Sequence, residues 1–381
     1  MKKTVFKNAL LVTPESVTEG DLACSDCVIT GVGGSCGAEG ADVVDCEGAW
    51  LIPGLVELHT DNLERYMIPR PKVVWPEALP AFFAHDAQIA ASGITTVFDA
   101  MAVGEYFNKG RIAMLARSVD ALERARRSGY LRADHFLHLR CELADPRLAS
   151  LFPEVSGCPA LRLLSLMDNT PGDRQWRDLG SWCTHYSDIK NWKDDAGFAQ
   201  DIRTLKAQRD ACFDENLAMV LGFAKKHGIP LASHDDTTAE QVDAAVRDGV
   251  VICEFPTTME AARRAAERGL MVTLGAPNIV RGQSSTKNVS AMDVAEAGCL
   301  SCLSSDYVPA SLLEAVFILK DRGVMSLPEA MRLVTLNPAR TAGLTDRGAL
   351  KEGLRADLCL VTLCGNSPIV RGVWKAGTRV F

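Results

Sequence analysis

The sequence predicts an α/β protein: a (β/α)8 TIM-like barrel over residues 53–345, with a small β-sandwich domain built from both chain termini, residues 1–52 and 346–381. Three features lead there. The middle of the chain alternates short apolar runs with helical patterns, and eight such runs end near His59, Asp99, Glu142, Asp168, His234, Glu254, Gly275 and Asp306. Alternation over short loops means parallel strands joined by right-handed crossovers, and eight is the number that closes a barrel. Both ends lack a sustained helical period, and no Gly-x-Gly-x-x-Gly follows the first strand of the middle segment, which weakens an open doubly wound sheet.

The elements follow in order. Residues 4–12, 23–32 and 43–52 read as strands, punctuated by Gly33, Gly34 and Gly37. Residues 109–128 place Ile112, Leu115, Val119 and Leu122 at helical spacing and stop at Gly129. A helix over 212–227 ends before Gly228 and Pro230; Thr238 caps a helix over 238–247; others pass through 263–267 and 312–322. The tail returns to strands at 356–363 and 370–380.

Composition narrows the partners. With 47% hydrophobic and 23% charged residues, bulk disorder is excluded. The 13 cysteines are odd in number, which argues for a reducing compartment. Lys7, Asn8 and Pro14 interrupt the first apolar stretch, a poor signal peptide, and no run of about 18 or more apolar residues could span a membrane. A net charge of −7 gives no global field for nucleic acid, so an anionic ligand needs a local cluster of cations. The expectation is a cytoplasmic protein with a small-molecule partner, no nucleic acid and no membrane, with a homo-oligomer left open.

A barrel carries its chemistry at the C-terminal ends of its strands, and here those ends are polar. Glu57, His59 and Asp61 share one parity in the first strand; His138, Arg140 and Glu142 share one face of the third. His234-Asp235-Asp236, Glu254 and Ser304-Ser305-Asp306 complete the set. The functional reading is a divalent metal site made from His59, Asp61, His234 and Asp306, with Glu142 as a bridging ligand. Imidazole with carboxylate suits zinc first, then manganese or iron, as one or two ions. The competing reading is a set of buried polar groups paired among themselves. His85, His135, His185 and His227 read as structural, with a lid role the alternative for His185, and the pairs Cys24/Cys27 and Cys299/Cys302 read as core thiols. Arg70, Arg174, Arg281 and Lys287 follow strands one, four and seven, where cations could hold a phosphorylated ligand. His138 and Glu254 are left without a role.

The segment Leu-Ile-Pro-Gly-Leu-Val-Glu-Leu-His-Thr-Asp (51–61) resembles the first strand of the amidohydrolase superfamily, and Asn337-Pro-Ala-Arg with Gly353-Leu-Arg-Ala-Asp-Leu-Cys-Leu-Val resembles its return into a small β-domain. Within the superfamily, residues 50–345 resemble the PhnM family of phosphonate metabolism. The carrying stretches are His59-Thr-Asp-Asn-Leu-Glu-Arg-Tyr, Leu139-Arg-Cys-Glu, Ser165-Leu-Met-Asp, Ser233-His-Asp-Asp, Gly275-Ala-Pro-Asn-Ile-Val-Arg-Gly and Leu303-Ser-Ser-Asp-Tyr-Val-Pro. The resemblance implies a metal-dependent hydrolase of a phosphorus anhydride, acting on α-D-ribose 1-methylphosphonate 5-triphosphate and releasing pyrophosphate. It implies Asp306 as the group that takes a proton from water, with Glu142 and His234 beside it. No Lys lies in 161–169, so Glu142 stands in for a carbamylated lysine bridge. The chain departs from the family pattern at Asn169, where a His usually follows Met-Asp, and over 284–288, where Ser-His-Ser-Gly-Asn is usual. The rivals are hydrolysis of a cyclic amide or deamination of a heterocycle by the same metal chemistry, and a barrel retained only as a scaffold.

Overall fold

The computed structural model describes residues 3–70, 73–107, 109–187, 190, 192, 195–284 and 288–381. Five strands come first: β1 (Lys3–Val12), β2 (Val17–Ser25), β3 (Val28–Val32), β4 (Asp42–Asp45) and β5 (Trp50–Pro53). Eight more alternate with helices: β6 (Leu55–Thr60), β7 (Ile94–Val103), β8 (Asp134–Glu142), β9 (Leu161–Met167), β10 (Leu231–His234), β11 (Ile252–Glu254), β12 (Met271–Gly275) and β13 (Cys302–Ser304). β14 (Leu358–Cys364), β15 (Ser367–Lys375) and β16 (Thr378–Arg379) end the chain.

Strands β6 to β13 pair in sequence order, each parallel to the next. The last meets the first through a parallel bridge between Thr60 and Asp306. Asp61 N–H donates to the Asp306 carbonyl (2.7 Å) and Asp306 N–H to that of His59 (3.1 Å), so the barrel closes. Phe98, Leu163, Ala232, Ile252, Met271 and Cys302 form one buried apolar cluster with Val56 and Leu58. It fills the barrel interior below the polar strand ends and confines chemistry to one mouth.

The second sheet runs β16-β15-β14-β5-β1-β2-β3, with β4 against β1. Its two chain ends meet where β14 pairs antiparallel with β5. β5 passes directly into β6 through Gly54, whose N–H donates to the Asp357 carbonyl (2.8 Å). A Cβ there would come within 2.9 Å of the Thr95 Cβ, so only glycine fits. Among the described residues no helix is long and apolar enough to cross a membrane. Among the described residues no disulfide joins any of the cysteines.

The strand ends fall close to where the sequence places them, apart from β7, which runs on to Val103. Other readings change: the strands expected over 43–52 and 370–380 are each interrupted, as β4 and β5 and as β15 and β16. The strand expected over 23–32 is two strands, turning at Asp26 with φ 53°. The helix expected over 212–227 is Asp195–His227; of its first half only Leu205 is buried, so no apolar stripe marks it in the sequence. Parity fails at the end of β6: the β6–β7 register shifts between Glu57 and Thr60, and Leu58 joins the internal cluster although His59 faces the mouth.

Two of the histidines read as structural, His85 and His135, lie in a buried hydrogen-bonded cluster. His85 and Asp86 sit buried on helix Ala78–Ala91, against Asp99 of β7 and His135 of β8. Asp99 accepts from His85 Nε2 (2.7 Å) and His135 Nδ1 (2.8 Å). His135 Nε2 reaches Asp86 (3.3 Å), which also accepts the Arg132 and Ala133 N–H groups (2.9 and 3.0 Å). Burial alone would lower the His135 pKa, but Asp99 and Asp86 outweigh it and push it up to about 9. A raised histidine pKa stabilises the fold fully below its unfolded value of 6.5, and that stability is lost as pH rises toward about 9. We expect urea stability to fall by about 1–3 kcal/mol between pH 6.5 and 9, and His135→Gln to abolish that slope while lowering stability at pH 6.5. Equilibrium unfolding at the two pH values checks it; an unchanged slope in the variant would show that other groups carry it.

Candidate metal centre

Four strand ends supply the mouth. β6 delivers His59 and then Asp61; β10 ends at His234; β11 ends at Glu254; Asp306 follows β13. Three of the turns just beyond these ends use a left-handed conformation in a residue other than glycine: Asp235 (φ 59°), Phe255 (φ 53°) and Asp306 (φ 54°). Such backbone is held only where surrounding structure enforces it, and it clusters at functional sites. At Asp306 the enforcement is visible: its N–H and carbonyl pair with β6, and Thr60 Oγ1 donates to the carbonyl (2.8 Å).

Three groups of donor atoms among the described residues lie within 4.8 Å of one another: His59/Asp61/Asp306 and His59/His234/Glu254 at the mouth, and the buried His85/Asp99/His135 away from it. Glu254 accepts from His59 Nδ1 (3.2 Å) and from Ser165 Oγ (2.5 Å), which fixes the His59 ring with Nε2 toward the mouth. His234 Nδ1 is held by Asp235 (2.7 Å). Phe255 packs edge-on against both rings, at 5.0 and 5.3 Å between centroids. His234 Nε2 and Asp61 Oδ1 are buried with no hydrogen-bond partner. An unsatisfied buried polar atom costs about 1–3 kcal/mol, and a cation held by either donor group at the mouth would satisfy the one that group contains. The donor set therefore fits a divalent metal.

The charges are tuned by the same contacts. Burial would raise the Asp61 pKa, but the Arg140 guanidinium, His59 and Arg111 hold it below the ordinary value. Asp306 is pushed up to about 6, by burial and then by the Asp61 charge. Glu254, despite complete burial, is held well below the carboxylate range by His138 and His59. Burial pulls the His138 pKa down to about 3 against the pull of Glu254, and its ring contacts the Leu58 carbonyl through Nδ1 (3.0 Å) and Ser165 Oγ through Nε2 (2.6 Å).

His59, Asp61, His234 and Asp306 all line one cavity, His59 with Asp61 and Asp306 in one donor group and with His234 and Glu254 in the other, and other expected residues lie apart. Glu142 faces the same cavity but belongs to neither donor group; its carboxylate accepts the Asn169 N–H (3.1 Å) and Nδ2 (2.6 Å), and burial pushes its pKa up to about 8. Arg174 does not line the cavity: it is spent on Asp236 (2.6 Å) and the His234 carbonyl (2.9 Å). Arg70 is exposed and outside the lining, Arg281 lines the rim, and Lys287 lies outside the described residues. His185 does line the cavity, stacked on Trp176 at 4.7 Å.

Several lining residues have no local signature. The cavity, about 1310 Å³ including its open mouth, is also lined by Glu105, Arg111, Arg140 and Asn169. Arg111 holds Glu64 (2.7 Å) and Glu105 (3.2 Å) and approaches Asp61 (3.7 Å). Its one sequence clue is a cation in the first turn of helix Lys109–Ser128, where the helix dipole disfavours it. Glu254 is not a neutral bystander, since it orients His59: Glu254→Gln should weaken Zn2+ binding about 10–100-fold with the fold intact, measured by chelator competition beside circular dichroism. Undiminished affinity would remove Glu254 from the centre.

Known proteins resemble the chain along its whole length. Residues 184–381 match the family described as Amidohydrolase family. The chain is 41% identical over 380 residues to alpha-D-ribose 1-methylphosphonate 5-triphosphate diphosphatase of Escherichia coli, covering 99% of this chain and 100% of that one. It is 26% identical to an adenine deaminase of Methanoregula boonei, covering 94% of this chain and 55% of the relative. Among solved structures, N-isopropylammelide isopropylaminohydrolase of Burkholderia multivorans superposes with a TM-score of 0.67 at 18% identity, over 100% of this chain and 98% of that one. A dihydropyrimidinase of Brevibacillus agri gives 0.62 at 14%, over 99% and 94%. A closed parallel barrel with a sheet from both termini, donors at the strand ends and these matches together assign the chain: it belongs to the amidohydrolase family.

Proposed function

We propose that the chain is a divalent-metal-dependent diphosphatase that hydrolyses α-D-ribose 1-methylphosphonate 5-triphosphate to the 5-phosphate and pyrophosphate. The observation that carries this is the 41% identity across the full length of both chains to a diphosphatase of that substrate. The cavity supports it. Its lining includes five carboxylates, Asp61, Glu105, Glu142, Asp235 and Asp306, against the guanidiniums of Arg111, Arg140 and Arg281. That is a charged cavity with cations at its wall and rim. A cyclic amide or a heterocycle calls for an apolar, ring-shaped slot with few cations. The intact donor set also speaks against a scaffold.

His59, Asp61, His234 and Asp306 would hold the metal, with Zn2+ the first choice and Mn2+ or Fe2+ next. When bound, such an ion lowers the pKa of a water molecule toward neutrality and so supplies a nucleophile. The chain does the rest. Asp306, whose pKa is raised by burial and then by the Asp61 charge, is the carboxylate that would accept the proton of an attacking water. Asp61 stays ionised beside two arginines, and Glu254 keeps His59 in one tautomer. Arg140 in the wall and Arg281 at the rim can meet phosphate oxygens, where fixed cations in a dry site stabilise developing charge.

Purified protein loaded with Zn2+ or Mn2+ should release pyrophosphate from the ribose triphosphate. Asp306→Asn should cut kcat by about 10²–10⁴. Arg281→Ala should raise KM about tenfold, the loss of one charge-assisted hydrogen bond, with kcat nearly unchanged. Metal-loaded protein that releases no pyrophosphate would sink the substrate assignment.

A further inference from the structure

We propose that the buried chain Asp99–His85–Asn62 positions Asp61: Asp99 fixes the tautomer of His85, His85 accepts a hydrogen bond from the Asn62 amide, and Asn62 holds the turn that carries the Asp61 carboxylate. The inference rests on the metal-dependent reading above and goes beyond it to three positioning residues, none of which lines the cavity.

Asp61 needs such a hold. It stands between β6 and the helix Asn62–Met67, whose six residues are too few to stay helical without tertiary contacts. An aspartate at a helix N-cap ordinarily turns its carboxylate onto the first free N–H groups. Asp61 occupies the N-cap and makes no such bond. Its carboxylate faces the mouth instead, with Oδ2 3.2 Å from Arg140 Nη1 and Oδ1 buried without a hydrogen-bond partner.

Asn62 supplies the hold. It is 1% exposed and donates through Nδ2 to His85 Nδ1 and to Gln88 Oε1, both at 2.9 Å, so both amide hydrogens are used. Tyr66 Oη donates to the same Gln88 oxygen (2.9 Å), which ties the next turn of the short helix to the same anchor, the helix Ala78–Ala91.

The sense of the Asn62–His85 bond is set one step deeper. A neutral imidazole has one N–H and one lone pair. Asp99 Oδ1 lies 2.7 Å from His85 Nε2, and His135 Nδ1 lies 2.8 Å from the other Asp99 oxygen. Burial would raise the Asp99 pKa, but His135 and then His85 pull it down to about 2. An ionised carboxylate only accepts, so it places the His85 proton on Nε2 and leaves the Nδ1 lone pair for Asn62. His85 and Asp99 are 0% and 1% exposed, so solvent does not compete for either bond.

The test is Zn2+ affinity by chelator competition, beside urea stability, on the full chain and on His85→Asn, His85→Gln and Asn62→Ala. Asparagine puts an acceptor where Nδ1 stood and gives up the Asp99 contact; glutamine reaches Asp99 and gives up the Asn62 contact. Both His85 variants should lose stability, but only His85→Gln should lose Zn2+ affinity, by about 10–100-fold, as should Asn62→Ala. His85→Asn should stay within about threefold of wild type. Affinity that falls equally in both His85 variants, or that is unchanged in His85→Gln or Asn62→Ala, would overturn the proposal, since a purely structural cluster gives those results. If neither His85 variant folds, Asn62→Ala decides. Wild type that binds no Zn2+ would defeat the metal reading and this inference with it; wild type that binds Zn2+ and releases no pyrophosphate would defeat the substrate assignment alone.

Discussion

The site depends on a seam. Glu57, a carboxylate fully inside the barrel, accepts the backbone N–H of His59 (2.7 Å) with one oxygen and that of Ser305 (2.5 Å) with the other. It thereby ties the first barrel strand to the last across 248 residues. Ser304 Oγ adds a bond to the His59 carbonyl (2.6 Å), and the Thr60–Asp306 bridge completes the closure. Without this seam, His59 and Asp61 would have no fixed relation to Asp306. Burial pushes the Glu57 pKa up to about 7, a penalty the two backbone donors oppose.

The rest of the mouth is built by the same device, a charge buried to aim another charge. Glu254 aims His59, Asp235 aims His234, and Arg140 with Arg111 keeps Asp61 ionised. Each aimed group is turned toward the cavity by irregular backbone: a register shift at the end of β6, and left-handed residues just beyond β10, β11 and β13. Left-handed backbone in non-glycine residues costs about 1–3 kcal/mol each, and the apolar plug beneath, from Phe98 to Cys302, is rigid enough to hold it.

The eight barrel strands were legible because each is an apolar run that stops at a polar residue, and the chemistry of the family sits at those stops. His59, Asp61, His234 and Asp306 could be read for the same reason. What could not be read is whatever depends on partners far apart in sequence. Glu254 meets His59 across 195 residues, and only that contact tells its role from that of any buried acid. Glu142 looks like a bridge until Asn169 is found holding it. Arg174 looks like a free cation until Asp236 is found against it. Simple alternation also misleads at β6, because a β-irregularity of one residue changes which side chain faces inward. The aromatic cluster of Trp176, Trp182, Tyr186 and Leu205 beside the cavity has no period in the sequence, since it is assembled from a loop, a short helix and a long one.

A chain of net charge −7 seems an unpromising host for a triphosphate. The difficulty dissolves once charge is counted where it acts. With a Debye length of about 8 Å at physiological salt, a bound anion responds to the groups within a few ångströms and hardly at all to the outer surface. Around the cavity the carboxylates are already engaged: Asp235 with His234, Glu142 with Asn169, Glu105 with Arg111, Asp61 with Arg140. Asp306 is the exception, with no basic side chain inside hydrogen-bonding distance and a raised pKa. A divalent ion held among the donors at the mouth would offset the excess of carboxylates over guanidiniums in the lining and concentrate positive charge at the point where a phosphorus atom must be attacked. The acidity of the lining is thus what makes the centre able to bind a cation, and the cation is what makes it able to bind the substrate.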